Sequence, residues 1–364
     1  MNHPITLPSP LGLSPNAPQR PRPTLAWTLA LSVLLLWTSA IPWSTAAHAD
    51  DLTAQPSAAQ GDLGDLDPHF ELELQEDASV LGRSLSMGGV AATHAALYTW
   101  AYFAWYRGRN LSPTLELRDE GFFGIDTYAG GADKLGHMYS NYALTRLTTN
   151  LLQYGGWGKT TSTILSAGLT LSFFTAIELK DGYHRNFGFS WGDMAFNGLG
   201  IGMAIIMDTF PQVDAIFDFK VEYVPTDLFI DQVVNEGLVD AAEDYSGQTF
   251  MLAWHLSSVP QLQDHSSTAW MRYLDAVVGF KSTHYLPKPV EPGAIPRQDL
   301  FLGLSLNVQQ IIDDTFYRKP AQRQGAGYGA LAFTNEIVAI PYTTLPLVNF
   351  SRDASELDTA EPIP

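Results

Sequence analysis

The sequence predicts an α+β chain: an N-terminal apolar four-helix unit, then a smaller antiparallel β-rich region with helical insertions. Three observations predict it. Helix-length stretches with few charged residues succeed one another as far as Pro211. Beyond Pro211 the apolar residues change from a helical to an alternating period. Ahead of both lies a basic, then apolar, then small-residue series of the kind that directs export. The expected organisation is a signal peptide over 1–49, an acidic disordered linker over 50–82, a helical domain over 83–210, a β-rich region over 211–350 and a disordered tail over 351–364.

The leader comes first. Arg20 and Arg22 precede an uncharged apolar run from Leu25 to about Trp43, which ends in Ala47-His48-Ala49 before Asp50. Pro42 breaks the run where a peptidase needs extended backbone. The competing reading is an uncleaved membrane anchor. Cleavage removes two of the 20 basic residues and none of the 38 acids, taking the net charge from −18 to −20. Such a surface repels nucleic acid, so no nucleic-acid partner is expected. The chain has no Cys, which leaves it without disulfides or a lipid-anchored cysteine at the cleavage site.

Residues 50–80 carry nine Asp and Glu and no Lys or Arg, and read as a solvated linker. Ser84–Tyr106 then has no charged residue and is rich in Ala and Gly. It ends in Tyr98, Trp100, Tyr102, Trp105 and Tyr106. That length could span a hydrocarbon layer with an aromatic belt at one interface, or could be a core helix packed through small residues. Asp133–Tyr154 is amphipathic and stops at Gly155-Gly156. Thr160–Asp181 is apolar up to Glu178, with Gly182 as C-cap. Ser190–Phe210 is apolar and ends before Pro211. Its Gly198-x-x-x-Gly202 is a small-residue pair of the kind that lets helix backbones approach closely.

In the second half, Phe217, Phe219, Val221 and Tyr223 alternate with Asp218, Lys220 and Glu222, giving a two-faced strand. Leu302, Leu304, Leu306 and Val308 alternate likewise. Thr249–Ser257 and Tyr273–Tyr285 are weaker strands, and short helices are expected over Asp227–Glu243 and Val308–Tyr317. Four to six strands fall short of the ~8 that a transmembrane barrel needs.

The chemistry-bearing residues lie between 133 and 200. Asp133, His137 and Asn141 stack at i+4 steps along one helix side. Glu178 and Asp181 share a face of the next helix, with His184 just beyond, and Asp193 and Asn197 again sit at i+4. Ionisable groups on apolar helices must pair, bind something or lose their charge. The candidate polar cluster is therefore Asp133, Lys134, His137, Glu178, Asp181, His184, Asp193 and Asn197. Carboxylates and imidazoles from facing helices are the usual donors of a bundle metal site, so His137, Glu178, Asp181 and His184 could hold a divalent metal. A separation beyond about 8 Å between His137 and the acids would exclude a shared ion, since each ligand lies ~2.0–2.2 Å away.

Structural readings stand beside these. Ser190 can cap its helix while Asp193 reaches back to the free N–H groups. Asp133 can cap its own helix with Lys134 as ion-pair partner, and Arg185 could neutralise Asp181. Gly188-Phe189-Ser190-Trp191-Gly192 matches G-x-S-x-G, but a nucleophile elbow needs a strand before the Ser, and here a turn follows a helix. His94 reads as a packed histidine, and His255, His265 and His284 show no ligand spacing.

Gly131-Ala132-Asp133-Lys134-Leu135-Gly136-His137, then Glu178-Leu179-Lys180-Asp181, then Ser190-Trp191-Gly192-Asp193 with Asn197, resemble the YfiM-like family of predicted periplasmic proteins, a domain of unknown function. The resemblance covers about residues 80–210. Asp244-Tyr245-Ser246-Gly247-Gln248-Thr249-Phe250 is similar to a segment of that family's longer members. Ile177 stands where the family usually has Lys, and the lipobox Cys of many members is missing. The motif order is also similar to VanZ-like membrane proteins, which implies helices in or against a membrane. Neither resemblance brings an established reaction.

These readings lead to an exported envelope protein of uncharacterised molecular function, associated with a membrane through apolar helices around a structural polar core. Its place is the periplasm or outer membrane, with the inner membrane as alternative. The rival is a metal-dependent hydrolase acting on an envelope lipid or glycan. A protein or envelope partner held by the aromatic-rich sheet is a third possibility.

Overall fold

The computed structural model describes residues 79–355 apart from 109–110, 186, 238–239, 286–293 and 324. The expected signal peptide, nearly all of the expected acidic linker and the last residues of the expected tail lie outside them. Helix α1 (Val80–Ala101) starts before the expected Arg83, because the Ser79 hydroxyl accepts from the Gly82 N–H at 2.9 Å and caps it. It widens into one π-helical turn, Tyr102–Tyr106, and leaves the helix at Arg107. A loop then leads through the left-handed Ala129, Gly130 and Gly131 into α2 (Ala132–Tyr154). A Cβ at Gly131 would sit 2.3 Å from the Phe123 ring, so only glycine permits this entry. Helices α3 (Lys159–Gly182) and α4 (Trp191–Thr209) complete the bundle, and Pro211 opens a separate short turn. At 1.5 Å per residue the four helices are about 28 to 36 Å long.

Helix α2 packs against α1, α3, α4 and the sheet. Many of the residues that α2 and α3 bury are small and polar: Thr145, Thr148 and Thr149 of α2, with Asn141 turned to Asn197 of α4, and Thr161, Ser162, Ser166 and Thr170 of α3. Small residues let these backbones close up. The close approach of α2 and α4 falls at a glycine the spacing argument passed over. A Cβ at Gly200 would lie 2.0 Å from the Met138 carbonyl oxygen, whereas Gly198 and Gly202 have no such neighbour within 4 Å. The expected Gly198-x-x-x-Gly202 contact is therefore corrected: the middle glycine faces α2, and the flanking two face outward.

The second half is a six-stranded sheet in the order β5-β1-β2-β3-β4-β6. Its strands are β1 (Phe217–Tyr223), β2 (Gln248–His255), β3 (Leu274–Thr283), β4 (Arg297–Leu306), β5 (Val338–Ala339) and β6 (Thr344–Asp353). Neighbours are antiparallel except β1 and β5, which makes the sheet mixed rather than purely antiparallel. Helices α5 (Asp227–Glu236), α6 (Val308–Thr315) and α7 (Ala326–Ile337) are the insertions. The first stops well short of Glu243 because Gly237 turns left-handed at φ +68°. Strand β6 runs past the expected boundary at 350. Its alternation is broken at Pro346, where the register with β4 shifts, and Pro is tolerated there because β6 is an edge.

The sheet curls strongly. Met251 on β2 and Thr344 on β6 approach to 3.4 Å (Sδ to Oγ1), although β3 and β4 lie between them in the strand order. The concave face holds Met251, Ala253, Val277 and Phe301. On the convex face, Phe219 and Phe250 join Tyr142, Ala204 and Met207 of the bundle in the main apolar core.

Candidate functional site

A cavity of about 380 Å³ opens where the ends of α2, α3 and α4 meet β1, β2 and the turn before β2. Lys134, 1 % exposed, lies buried behind its wall, against three of the acids that line it. Its Nζ lies 2.8 Å from Asp133, 2.5 Å from Asp193 and 2.7 Å from Glu120. A buried ammonium needs such surroundings, because a lone buried charge costs several kcal/mol. Glu120 comes from the loop before α2, so three separate segments are tied to one cation.

His137 follows one turn along α2. Its Nδ1–H donates to Asn197 Oδ1 at 3.0 Å, and the Asn141 amide donates to the same oxygen at 2.5 Å. Its Nε2 lies 3.7 Å from Asp133 and 3.9 Å from Asp193, and its Nδ1 lies 3.7 Å from Glu178. Glu178, 2 % exposed, accepts from the Ser190 backbone N–H at 3.4 Å. Asp181 accepts from the Tyr106 hydroxyl at 2.9 Å. Three helix ends thus deliver four carboxylates, and the loop before α2 adds Glu120, against Lys134 and His137.

Two phenols close the side formed by the sheet half. The Tyr245 hydroxyl donates to Asp133 Oδ1 at 2.7 Å, and Tyr128 stacks edge-on against Tyr245. Burial, and then the Asp133 charge, push both phenols well above their ordinary range, so both remain neutral.

Several expected roles change. Asp133 does not cap α2, whose N-cap is Gly131 with no side-chain bond; its carboxylate serves Lys134 and Tyr245. Ser190 does cap α4, accepting from the Asp193 N–H at 3.2 Å, but the Asp193 carboxylate goes to Lys134 instead of reaching back. Tyr106, rather than Arg185, bonds Asp181. His184 lies apart from the cavity: its ring stacks on Phe187 at 4.5 Å, and its backbone pairs with Leu111. Among the described residues the group able to share an ion is Asp133, His137 and Asp193, with ligand atoms within 4.8 Å of one another. It is not the expected set of His137, Glu178, Asp181 and His184.

Sequence reasoning did not place Glu120, Tyr106, Tyr128 or Tyr245 in the site. Tyr245 joins Asp133 across 112 positions of chain, a distance at which no periodicity speaks. Its only advance signal was its place in the family-like segment around Gly247-Gln248-Thr249.

A second buried network lies in the concave face of the sheet. His255 Nδ1 is 2.7 Å from Asp275 and its Nε2 is 3.2 Å from Asp218. Lys220 is 2.9 Å from Asp218 and 3.6 Å from Asp275, and the Asn307 amide donates to Asp275 at 2.9 Å. Burial opposes charge on His255, but hydrogen bonds to Asp218 and Asp275, and their charges, push its imidazole up to about 9.

Residues 119–209 match the profile of a family described as predicted periplasmic lipoprotein (DUF2279). The matched segment runs from the loop bearing Glu120 to the end of α4. It holds Lys134, His137 and all five carboxylates, but neither α1 nor the sheet. The likeness supports a place in the cell envelope and carries no assigned activity. No curated protein and no solved structure matches the chain.

Proposed function

We propose that this is an exported envelope protein whose helical bundle sits in or against a lipid bilayer, with the Lys134 network locking the helices together. One observation carries the reading: the bundle's polarity is reversed. Residues 84–106, 160–177 and 194–207 contain no Asp, Glu, Lys or Arg. Their exposed positions include Leu85, Ile164, Leu169, Leu171, Leu199 and Ile206. The buried positions carry Asp133, Lys134, Arg146, Glu178, Asp193 and Asp208. Water-soluble bundles place these classes the other way round. In hydrocarbon, polar groups turn inward, and helix contacts use Ser, Thr and Gly. Among the described residues, helix α3 is the one long and apolar enough to cross a membrane by length and composition, and only 28 % of its most apolar stretch is buried. The lengths of all four helices suit a ~30 Å hydrocarbon layer.

Membrane extraction tests this reading. The protein should stay with the pellet through high salt and carbonate and be released by detergent. Full release by salt alone would overturn it.

A metal-dependent hydrolase acting on an envelope lipid or glycan is the second reading, favoured by the Asp133, His137 and Asp193 trio at the cavity wall. The Lys134 ammonium counts against it, since it already lies against both carboxylates and would repel a dication a few ångströms away. Metal analysis of the purified protein separates the two. No stoichiometric metal, together with a stability of the unaltered protein that does not change on adding zinc, would remove the hydrolase.

A further inference from the structure

We infer that a second cavity, between the convex face of the sheet and helices α2 and α4, binds the acyl chain of an anionic amphiphile. This cavity measures about 670 Å³, within the ~300–1,000 Å³ usual for a small-molecule site. It does not share the Lys134 network. Met138 and Met203 floor it from the bundle, and their flexible thioethers adapt to a chain that has no fixed shape.

The sheet gives the cavity its form. Phe250, Phe280, Leu300 and Phe350 are directly paired neighbours on β2, β3, β4 and β6, so they make one apolar row across four strands. Three strand spacings make that row roughly 14 Å long. An apolar wall of that length suits a hydrocarbon chain better than a compact ring. Leu300 and Phe350 are 46 % and 60 % exposed without an occupant, so a chain lying there would remove apolar surface from water.

The head group is read from one residue. Among the described residues, Arg352 is the single charged one lining the cavity, on a chain whose net charge is −18. It is held in place rather than free: its Nε–H donates to Gln298 Oε1 at 2.5 Å, and its Nη2 donates to the Phe123 carbonyl. Gln298, 2 % exposed, is itself fixed by donating to Gly130 O at 2.6 Å. Gln298 and Arg352 are paired across β4 and β6 on the same face as the apolar row. A positioned guanidinium at the end of an apolar slot selects a carboxylate or phosphate attached to a hydrocarbon tail.

The test uses the full chain and displacement of the fluorescent polyene fatty acid cis-parinarate. Hexadecanoate should displace the probe at least tenfold more tightly than hexadecanol, which has the same tail without the charge. Arg352→Gln should erase that difference, and Val278→Trp, which fills the slot, should abolish binding of both. Hexadecyl phosphate and a lysophospholipid, run alongside, separate a free fatty acid from a lipid as the natural source. Equal binding of acid and alcohol, or undiminished binding by a folded Val278→Trp, would overturn the proposal. If that variant fails to fold, the acid and alcohol comparison on the unaltered protein still decides. Sizing with and without hexadecanoate identifies the remaining occupant: a dimer that hexadecanoate does not dissociate would mean a second copy fills the slot. Extraction from membranes is a separate measurement, so either reading can fail without the other.

Discussion

The bundle and the curled sheet each bury a network of charged side chains, but the two networks balance differently. In the sheet, Asp218 and Asp275 face Lys220 and His255, two acids against two bases, with Asn307 filling a remaining acceptor. In the bundle, Glu120, Asp133, Glu178, Asp181 and Asp193 face only Lys134 and His137. A balanced network is closed and has a structural task. A network with surplus acid opening on a cavity retains capacity for protons, cations or a polar ligand. The difference also shows in redundancy, since each sheet acid has two cationic partners whereas Glu120 depends on Lys134 alone.

Removing the two lysines measures that redundancy and carries the largest expected effect. Lys134→Met removes the cation from Glu120 and leaves Asp133 and Asp193 only the more distant His137, and should cost about 3–5 kcal/mol, the range for breaking a buried ion pair from one side. Lys220→Met leaves His255 bonded to both of its acids and should cost clearly less. Chemical unfolding of the two variants in the same detergent provides the comparison. Equal losses would mean that the bundle acids already share protons and that Lys134 is not their principal counter-ion.

Titration comes next in size. The folded-state value of His255, about 9, lies above the ordinary 6.5. Its contribution is therefore fully present below about pH 6.5 and is lost as pH rises through about 9. The shift corresponds to at most about 3 kcal/mol. Unfolding measured from pH 6 to 10 should show this decline, and His255→Gln should reduce it, leaving the share of His137, where burial opposes charge but the charges of Asp193 and Asp133 also raise the imidazole to about 9. A decline of undiminished size in His255→Gln would move the titrating group out of the sheet.

How far these two regions could be read from sequence differs for physical reasons. The bundle was legible because charge-free stretches, Ser190 as cap and Pro211 as stop act within a few residues of themselves. Strand β1 was legible through strict alternation from Phe217 to Tyr223. Strand β6 was not, because Pro346 shifts its register and breaks the period, and β5 is too short to have one. In the site, i+4 stacking placed Asp133 and His137 on one helix side. It could not show that His184 turns toward Phe187, nor that Glu120 and Tyr245 arrive from other segments. Gly200 escaped notice for a related reason: the small-residue spacing identifies which glycines could face a partner, and only packing shows which one does.

That glycine gives the third prediction. Gly200→Ala sets a Cβ against the Met138 carbonyl and should cost about 1–3 kcal/mol as overpacking. Gly198→Ala and Gly202→Ala meet open space, so the better helix propensity of Ala should leave stability unchanged or raise it by up to ~1 kcal/mol. Thermal unfolding of the three single variants settles the order. A larger loss at Gly198 or Gly202 would restore the outer pair as a contact, in a second copy or another bundle.

The smallest expected effect falls on Ser190, where the cap and the acid surplus meet. Ser190→Ala removes the acceptor for the Asp193 N–H and should cost about 1 kcal/mol, with any activity retained, since the hydroxyl is a cap and not a nucleophile. Ser190→Asn should recover most of that loss. Ser190→Asp is as good a cap in an ordinary helix, but here the Ser190 backbone N–H lies 3.4 Å from Glu178. A further carboxylate there adds to acids that Lys134 and His137 do not neutralise, so Ser190→Asp should fail to recover stability near neutral pH and should improve as pH falls. Thermal unfolding of the three variants at pH 5 and pH 8 reads both halves. Full recovery by Ser190→Asp at pH 8 would show that the bundle network tolerates another negative charge, and the contrast with the balanced sheet would then lose its basis.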